Sequence, residues 1–262
     1  MATLSITAVG LAVTTVGLWF GVPVILAWLQ SGRIQRICRQ QKMIALTFDD
    51  GPDPDLTETV LEMLDELGVK ATFFMIGSLV EEHEELAQRV MNEGHQIGGH
   101  TQHHLGAWRV GPIRGIQDCR RGMESLRARE LGVTWFRPPR GQATLGTIMT
   151  CWILGCRMIW WTHDSGDTGH GSRKSRLNPM RLMRKLIMRE KWKLSPAEAA
   201  LPRHREALLC SLEESGGVVL LHDGRRTHEE YKRMSLQCTR DIVMRAGRNG
   251  FRFVTLDELT RG

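Results

Sequence analysis

The chain has 262 residues, a net charge of +6 and 42% hydrophobic residues, enough for one good-sized core and one catalytic-sized domain rather than several. Its six cysteines, Cys38, Cys119, Cys151, Cys156, Cys210 and Cys238, form no CxxC pair and no dense spacing. That excludes a disulfide scaffold and reads as reduced, small apolar side chains.

Residues 1–32 carry no charged side chain, and Ile6 to Leu29 is mostly apolar, long enough as a helix to cross a bilayer of roughly 30 Å. A cleaved signal would want a basic start and small residues before the cut, so 1–32 reads as a membrane anchor. Arg33, Arg36, Arg39 and Lys42 follow in a basic juxtamembrane linker, 33–42. Charge bias of this kind predicts that the rest of the chain is cytoplasmic.

From Ile44 the pattern alternates. Ile44 to Phe48 predicts a strand, Leu56 to Leu67 a helix, Ala71 to Ile76 a strand, Leu79 to Met91 a helix and His95 to Gly98 a strand. Helices follow at Ile113 to Leu131, Thr144 to Leu154, Arg205 to Leu212 and Glu229 to Ala246. Strands follow at Thr134 to Arg137, Met158 to Thr162, Gly217 to Leu221 and Phe251 to Thr255. Such alternation predicts a parallel α/β barrel with its chemistry at the C-terminal ends of the strands.

One stretch breaks the rhythm. Residues 171–206 hold eleven Lys or Arg and three Glu, with apolar residues near helical spacing. Two readings stand: an interfacial helix on anionic lipid, or an insertion whose apolar stripe packs on the barrel. Nucleic-acid binding is not expected, since no aromatic stacking platform accompanies the charge.

Polar clusters close the apolar segments. Asp49 and Asp50 end the first strand ahead of Gly51 and Pro52, where a turn lets both carboxylates reach one cleft. One can bind a divalent cation while the other stays a free base. His100 and His104, four apart, can reach a single ion from one turn of helix or from a tight loop. Phe136-Arg137-Pro138-Pro139-Arg140-Gly141, Asp164-Ser165-Gly166-Asp167 and Leu221-His222-Asp223-Gly224 follow in order.

Taken singly, each is a common turn or cap. In this order, over roughly residues 43 to 258, they resemble the five motifs of the NodB-homology polysaccharide deacetylases, carbohydrate esterase family 4. The resemblance implies a distorted, incomplete (β/α) barrel for 43–262. It implies Asp50, His100 and His104 as ligands of a divalent metal, with Zn²⁺ expected, Asp49 as the base and His222 as the acid. It further implies that Arg137 positions the base, that Asp167 tunes His222, and that the oxyanion meets the backbone N–H of Arg140. Two positions depart from the family pattern: Arg140, commonly tyrosine, and Thr168, commonly tryptophan. Thr168 removes one wall of the groove for the acetyl methyl, and Leu220 remains as the other. A cationic, wider cleft beside a membrane anchor suggests a substrate carrying phosphate or carboxylate, a lipid-linked amino sugar being one such case.

The function expected is metal-dependent removal of the N-acetyl group from an N-acetylglucosamine-type amino sugar in a glycan or glycolipid. O-deacetylation of a polysaccharide is an open alternative, as is an inactive, membrane-tethered glycan-binding protein. The family also places many relatives outside the membrane, against the charge bias. His103, His163, His170 and His228 read as ordinary polar residues, with His163 nearest the site.

Overall fold

The computed structural model describes residues 2–167, 202–224 and 229–261. Among these, eight strands form one curled parallel sheet: β1 (Met43–Asp49), β2 (Thr72–Met75), β3 (Gln96–Gly99), β4 (Trp135–Phe136), β5 (Arg157–Met158), β6 (His163–Asp164), β7 (Gly217–His222) and β8 (Arg252–Phe253). Their order is β5-β4-β3-β2-β1-β7-β6, with β8 also on β1. The sheet ends at β5 and β6, so the barrel is incomplete there, as the resemblance implied.

Every residue of β1 is buried, which is why its sequence runs almost without polar interruption. Ile44, Leu46 and Phe48 face the helix layer, with Phe73, Val219 and Leu221 beside them. Ala45 faces the barrel interior with Phe74, Val218 and Leu220. The alternation fixes which side of each strand end can reach the cleft.

The helix layer comprises α2 (Leu56–Glu66), α3 (Gly77–Glu82), α4 (Glu84–Asn92), α5 (Pro112–Arg127), α6 (Leu145–Ile153), α7 (Pro202–Ser215), α8 (Glu229–Arg248) and α9 (Leu256–Arg261). Three sequence expectations change. The helix expected from Leu79 to Met91 is two, α3 and α4, because His83 leaves helical geometry (φ −132°, ψ 52°). The strand expected from Met158 to Thr162 is replaced by β5 and β6, which pair with β4 and β7 respectively. The terminal helix α9 was not expected; its Leu256 and Leu259 help fill the barrel interior.

Upstream lies α1 (Ala2–Gln41), one helix of 40 residues that is long and apolar enough to cross a membrane. The segment expected as a linker, 33–42, is largely its last turns. Ile34 and Cys38 are buried in the barrel interior with Ala45 and Val218, so apolar packing holds these last turns against the domain. Higher up, Gln30 donates to Met158 O (2.7 Å) and accepts from Trp160 N–H (3.1 Å). Its amide satisfies the backbone just past β5 much as a neighbouring strand would. The basic stretch expected at 171–206 lies outside the described residues except for the first turn of α7.

Candidate active site

Parallel pairing places the key side chains side by side. Asp49 and His222 occupy the same register at the ends of β1 and β7, while β3 delivers His100 and β4 delivers Arg137. Among the described residues, four of the six non-glycine residues with positive φ border the cleft: Asp50 (76°), Thr101 (66°), His104 (55°) and Arg140 (58°). Left-handed backbone costs roughly 1–2 kcal/mol at such residues, and it persists where surrounding structure holds it.

The HxxxH segment is a loop, not a helical turn. His100 Nδ1–H donates to Arg137 O (2.8 Å), which leaves Nε2 with its lone pair toward the cleft. Asp50 Oδ1 stands 3.3 Å from His100 Nε2 and 3.0 Å from His104 Nε2. This buried oxygen faces both imidazoles without a hydrogen bond of acceptable geometry to either, and the three donor atoms lie within 4.8 Å of one another. Three converging lone pairs, one anionic, fit a divalent cation. Burial alone would raise the Asp50 pKa, but the two imidazoles, when they carry a proton on the nitrogen facing it, hold it well below the usual carboxylate range.

Asp49 is gripped from behind. Arg137 Nη1 donates to Asp49 Oδ1 (2.8 Å) and to Thr47 Oγ1 (2.7 Å), and its guanidinium stacks 4.2 Å above the Phe74 ring. Arg137 is fully buried; burial pulls its pKa down and Asp49 opposes the shift. With Oδ1 so occupied, Asp49 Oδ2 turns to the cluster, 3.8 Å from His100 Nε2.

Asp167 holds His222. Its Oδ1 meets Nδ1 at 2.7 Å and its Oδ2 accepts the His222 backbone N–H at 2.8 Å, which leaves Nε2 for the cleft. Burial would lower the His222 pKa, but Asp167 chiefly, with Asp50 and Asp49, pushes it up to about 10.

Of the remaining expected positions, Arg140 is exposed at the rim in the Pro139–Gly141 turn, Leu220 is buried in the barrel interior, and Thr168 lies outside the described residues. His103 is exposed and stays out of the cluster. His163 binds Thr162 Oγ1 and Ser211 Oγ (2.9 and 3.1 Å), and Ser211 belongs to α7 in the helix layer. His170 and His228 are outside the described residues.

Sequence reasoning missed the supports. Asp118 of α5 accepts from the backbone N–H groups of His103 (3.1 Å) and Leu105 (3.2 Å), pinning the ligand loop. Gly122, one turn on, lets α5 approach so closely that a Cβ there would overlap the Thr101 carbonyl carbon. Asp223 is buried, accepts from Thr57 Oγ1 (2.7 Å) and is pushed up to about 7, mainly by burial. An Asp and a glycine four apart in a helix give no sign in the sequence of either contact.

The family model described as Polysaccharide deacetylase matches residues 36–166. A peptidoglycan-N-acetylglucosamine deacetylase of Bacillus cereus is 30% identical over 223 residues, covering 84% of this chain and 89% of that one. The chain belongs to the polysaccharide deacetylase family. A chitooligosaccharide deacetylase of Azorhizobium caulinodans is 34% identical to this deacetylase over 52% of its chain and 66% of the relative's. In fold, it resembles the crystal structure of a peptidoglycan N-acetylglucosamine deacetylase in complex with a naphthalenyl N-oxidanyl-benzamide. The TM-score is 0.61, identity is 24%, and the match covers 84% of this chain and 89% of the other.

Proposed function

We propose that this deacetylase removes the N-acetyl group of an N-acetylglucosamine-type sugar, with Asp49 as base and His222 as acid on either side of the scissile amide. The observation that carries the reading is their register: Asp49 and His222 are direct neighbours across β1 and β7, each with its far side already fixed, by Arg137 and by Asp167. Two groups so placed offer one free acceptor and one proton donor to the same point.

Asp50, His100 and His104 would hold the divalent metal. A cation there would supply Lewis acidity toward the acetyl oxygen and lower the pKa of a water beside it. Asp49 Oδ2 takes the water's proton, because Oδ1 is committed to Arg137. His222 Nε2 delivers a proton to the departing amine, and Asp167 keeps the imidazole cationic until then. The backbone N–H of Arg140 is assigned to the developing oxyanion, and Leu220 to one wall of the acetyl groove. An ester would be cleaved by the same groups, so O-deacetylation is separated only by substrate. The apolar, uncharged run in α1 supports a single-pass anchor, with sidedness assigned to the cytoplasm on charge bias.

The test is acetate release by the zinc-loaded full chain from N-acetylglucosamine oligomers, peptidoglycan, acetylated xylan and a lipid-linked N-acetyl amino sugar. A chelator and Asp49→Asn should each abolish release from the responding substrate. Release that survives either control would defeat the assignment, and response to xylan alone would favour the ester reading.

A further inference from the structure

The path of α1 relates the cleft to the apolar helix. α1 ends at Gln41 and β1 begins at Met43, so the two run in opposite senses and the upstream part of α1 climbs toward the strands' C-terminal ends. The contacts follow that climb. Cys38 O lies against Gly216, just ahead of β7. Gln30 meets the backbone past β5. Ala27 packs on Ala143 and Trp160, and the Trp160 ring N–H binds Gly141 O (3.1 Å) in the turn that carries Arg140. Finally Trp19 touches Gly146 at the start of α6, and Phe20 stands edge-on to Trp108, ring centroids 5.7 Å apart, in the loop after His104. The helix therefore leaves the domain at the catalytic rim, and 14–18 are all exposed.

Of the apolar run from Ile6 to Leu29, the thirteen residues ahead of Trp19 extend about 20 Å, short of the roughly 30 Å hydrocarbon layer. The run does not turn polar where the helix reaches the rim. Ile25, Trp28 and Leu29 remain 56%, 43% and 53% exposed, and the first charge is Arg33. A bilayer that takes up the whole run must come down to the rim. On the same flank α6, which packs on α1, exposes Met149, Trp152 and Ile153. The rim nearest α1 exposes Arg109, Arg114 and Arg140, whereas the loops and helix beyond β1 and β2 expose Asp55, Glu81 and Glu82. Cations beside exposed apolar groups suit phosphate headgroups over hydrocarbon.

We propose that the cleft opens toward the bilayer holding α1, and that the substrate is an N-acetylated amino sugar carried by a lipid of that same membrane. The substrate half rests on the deacetylase reading above. The reaction is hydrolysis: water adds to the acetyl carbon, the C–N bond breaks, and acetate and the sugar amine leave with no change of oxidation state.

Two measurements on the full chain test it. In the first, a bimane label at Arg109→Cys is compared with one at Arg248→Cys, on the opposite side of the domain, both with Cys210→Ser, in vesicles containing brominated lipid. Quenching by at least half at position 109 and little at 248 is expected; equal quenching, or the reverse, overturns the orientation. In the second, seven helix-forming residues are inserted between Leu18 and Trp19, lifting the rim by about 10 Å. Wild type should release acetate from polyprenyl-diphosphate-linked N-acetylglucosamine in its own vesicle at least tenfold faster than from soluble oligomer. The insertion should cut the first rate at least tenfold and the second less than twofold. Equal rates, or indifference to the insertion, overturn the lipid-linked substrate. Silence on both substrates overturns the deacetylase reading, and because quenching needs no turnover the two failures are told apart.

Discussion

Asp167 holds His222 at two points, Oδ1 on the ring Nδ1 at 2.7 Å and Oδ2 on the backbone N–H at 2.8 Å. The ring can neither rotate nor change tautomer without losing one of these bonds, so the pair sets both aim and charge. The His222 pKa is pushed up to about 10, so the cation required of a general acid is present below that pH and lost above it. Asp167→Asn keeps the shape but removes the charge. It should lower kcat about 100-fold, leave KM within a few-fold, and move the alkaline limb of the pH profile down by at least one unit. An unmoved limb would mean that another group supplies the proton.

Arg137 presents a different case, because it is fully buried and its charge is matched by Asp49. Removing one member of such a pair strands the other in a low-dielectric interior. Arg137→Met should therefore cost about 3–5 kcal/mol in urea unfolding as well as activity. Asp49→Asn should abolish turnover while zinc binding, measured by calorimetry, stays within a few-fold. Loss of zinc in Asp49→Asn would move Asp49 among the ligands.

Why the strand ends were readable and their supports were not has a physical cause. Asp49, Asp50 and His222 close apolar runs, and a parallel sheet brings such ends to one face whatever the helices do. His83 splits α3 from α4 without a proline or glycine to announce it, and the open edge at β5 is met by Gln30, 128 residues from the carbonyl it binds. The packing of 33–41 onto the barrel was equally hidden: Ile34 and Cys38 sit among arginines, and only the tertiary fold shows which face is buried. Asp118 and Gly122 act on backbone atoms of another segment, a relation that leaves no local pattern.

Two buried histidines predict acid lability. His95 accepts from Ala71 N–H through Nδ1 (3.1 Å), and its pKa is lowered to about 4, chiefly by burial; burial lowers His163 to about 4 as well. A depressed folded pKa means that the unfolded chain binds the proton first, so stability is intact above about 6.5 and falls as pH drops toward 4. Each histidine should account for about 3 kcal/mol across that window. Denaturant unfolding at pH 7.5 and 4.5 checks this, and His95→Gln should flatten the difference; a pH dependence unchanged in that variant would place the lability elsewhere.

The ligand loop yields the last prediction. His104 keeps its left-handed backbone (φ 55°) because Asp118 binds the neighbouring N–H groups of His103 and Leu105, while Gly122 lets α5 close up beneath Thr101. Asp118 and Gly122 act on the backbone of the loop that carries His104, so their effect on a bound ion is through loop position. Gly122→Ala pushes a methyl into the Thr101 carbonyl carbon, and Asp118→Asn replaces a charged acceptor by a neutral amide. Outer supports of this kind are typically worth about 10–100-fold in metal affinity. Gly122→Ala should weaken zinc binding at the upper end of that range, because backbone cannot yield as a side chain can, and Asp118→Asn at the lower end. Competition with a chromogenic chelator measures both, with circular dichroism to establish that each variant is folded. Wild-type affinity in folded Gly122→Ala would show that the loop relaxes without disturbing His104, and that the close approach of α5 serves packing alone.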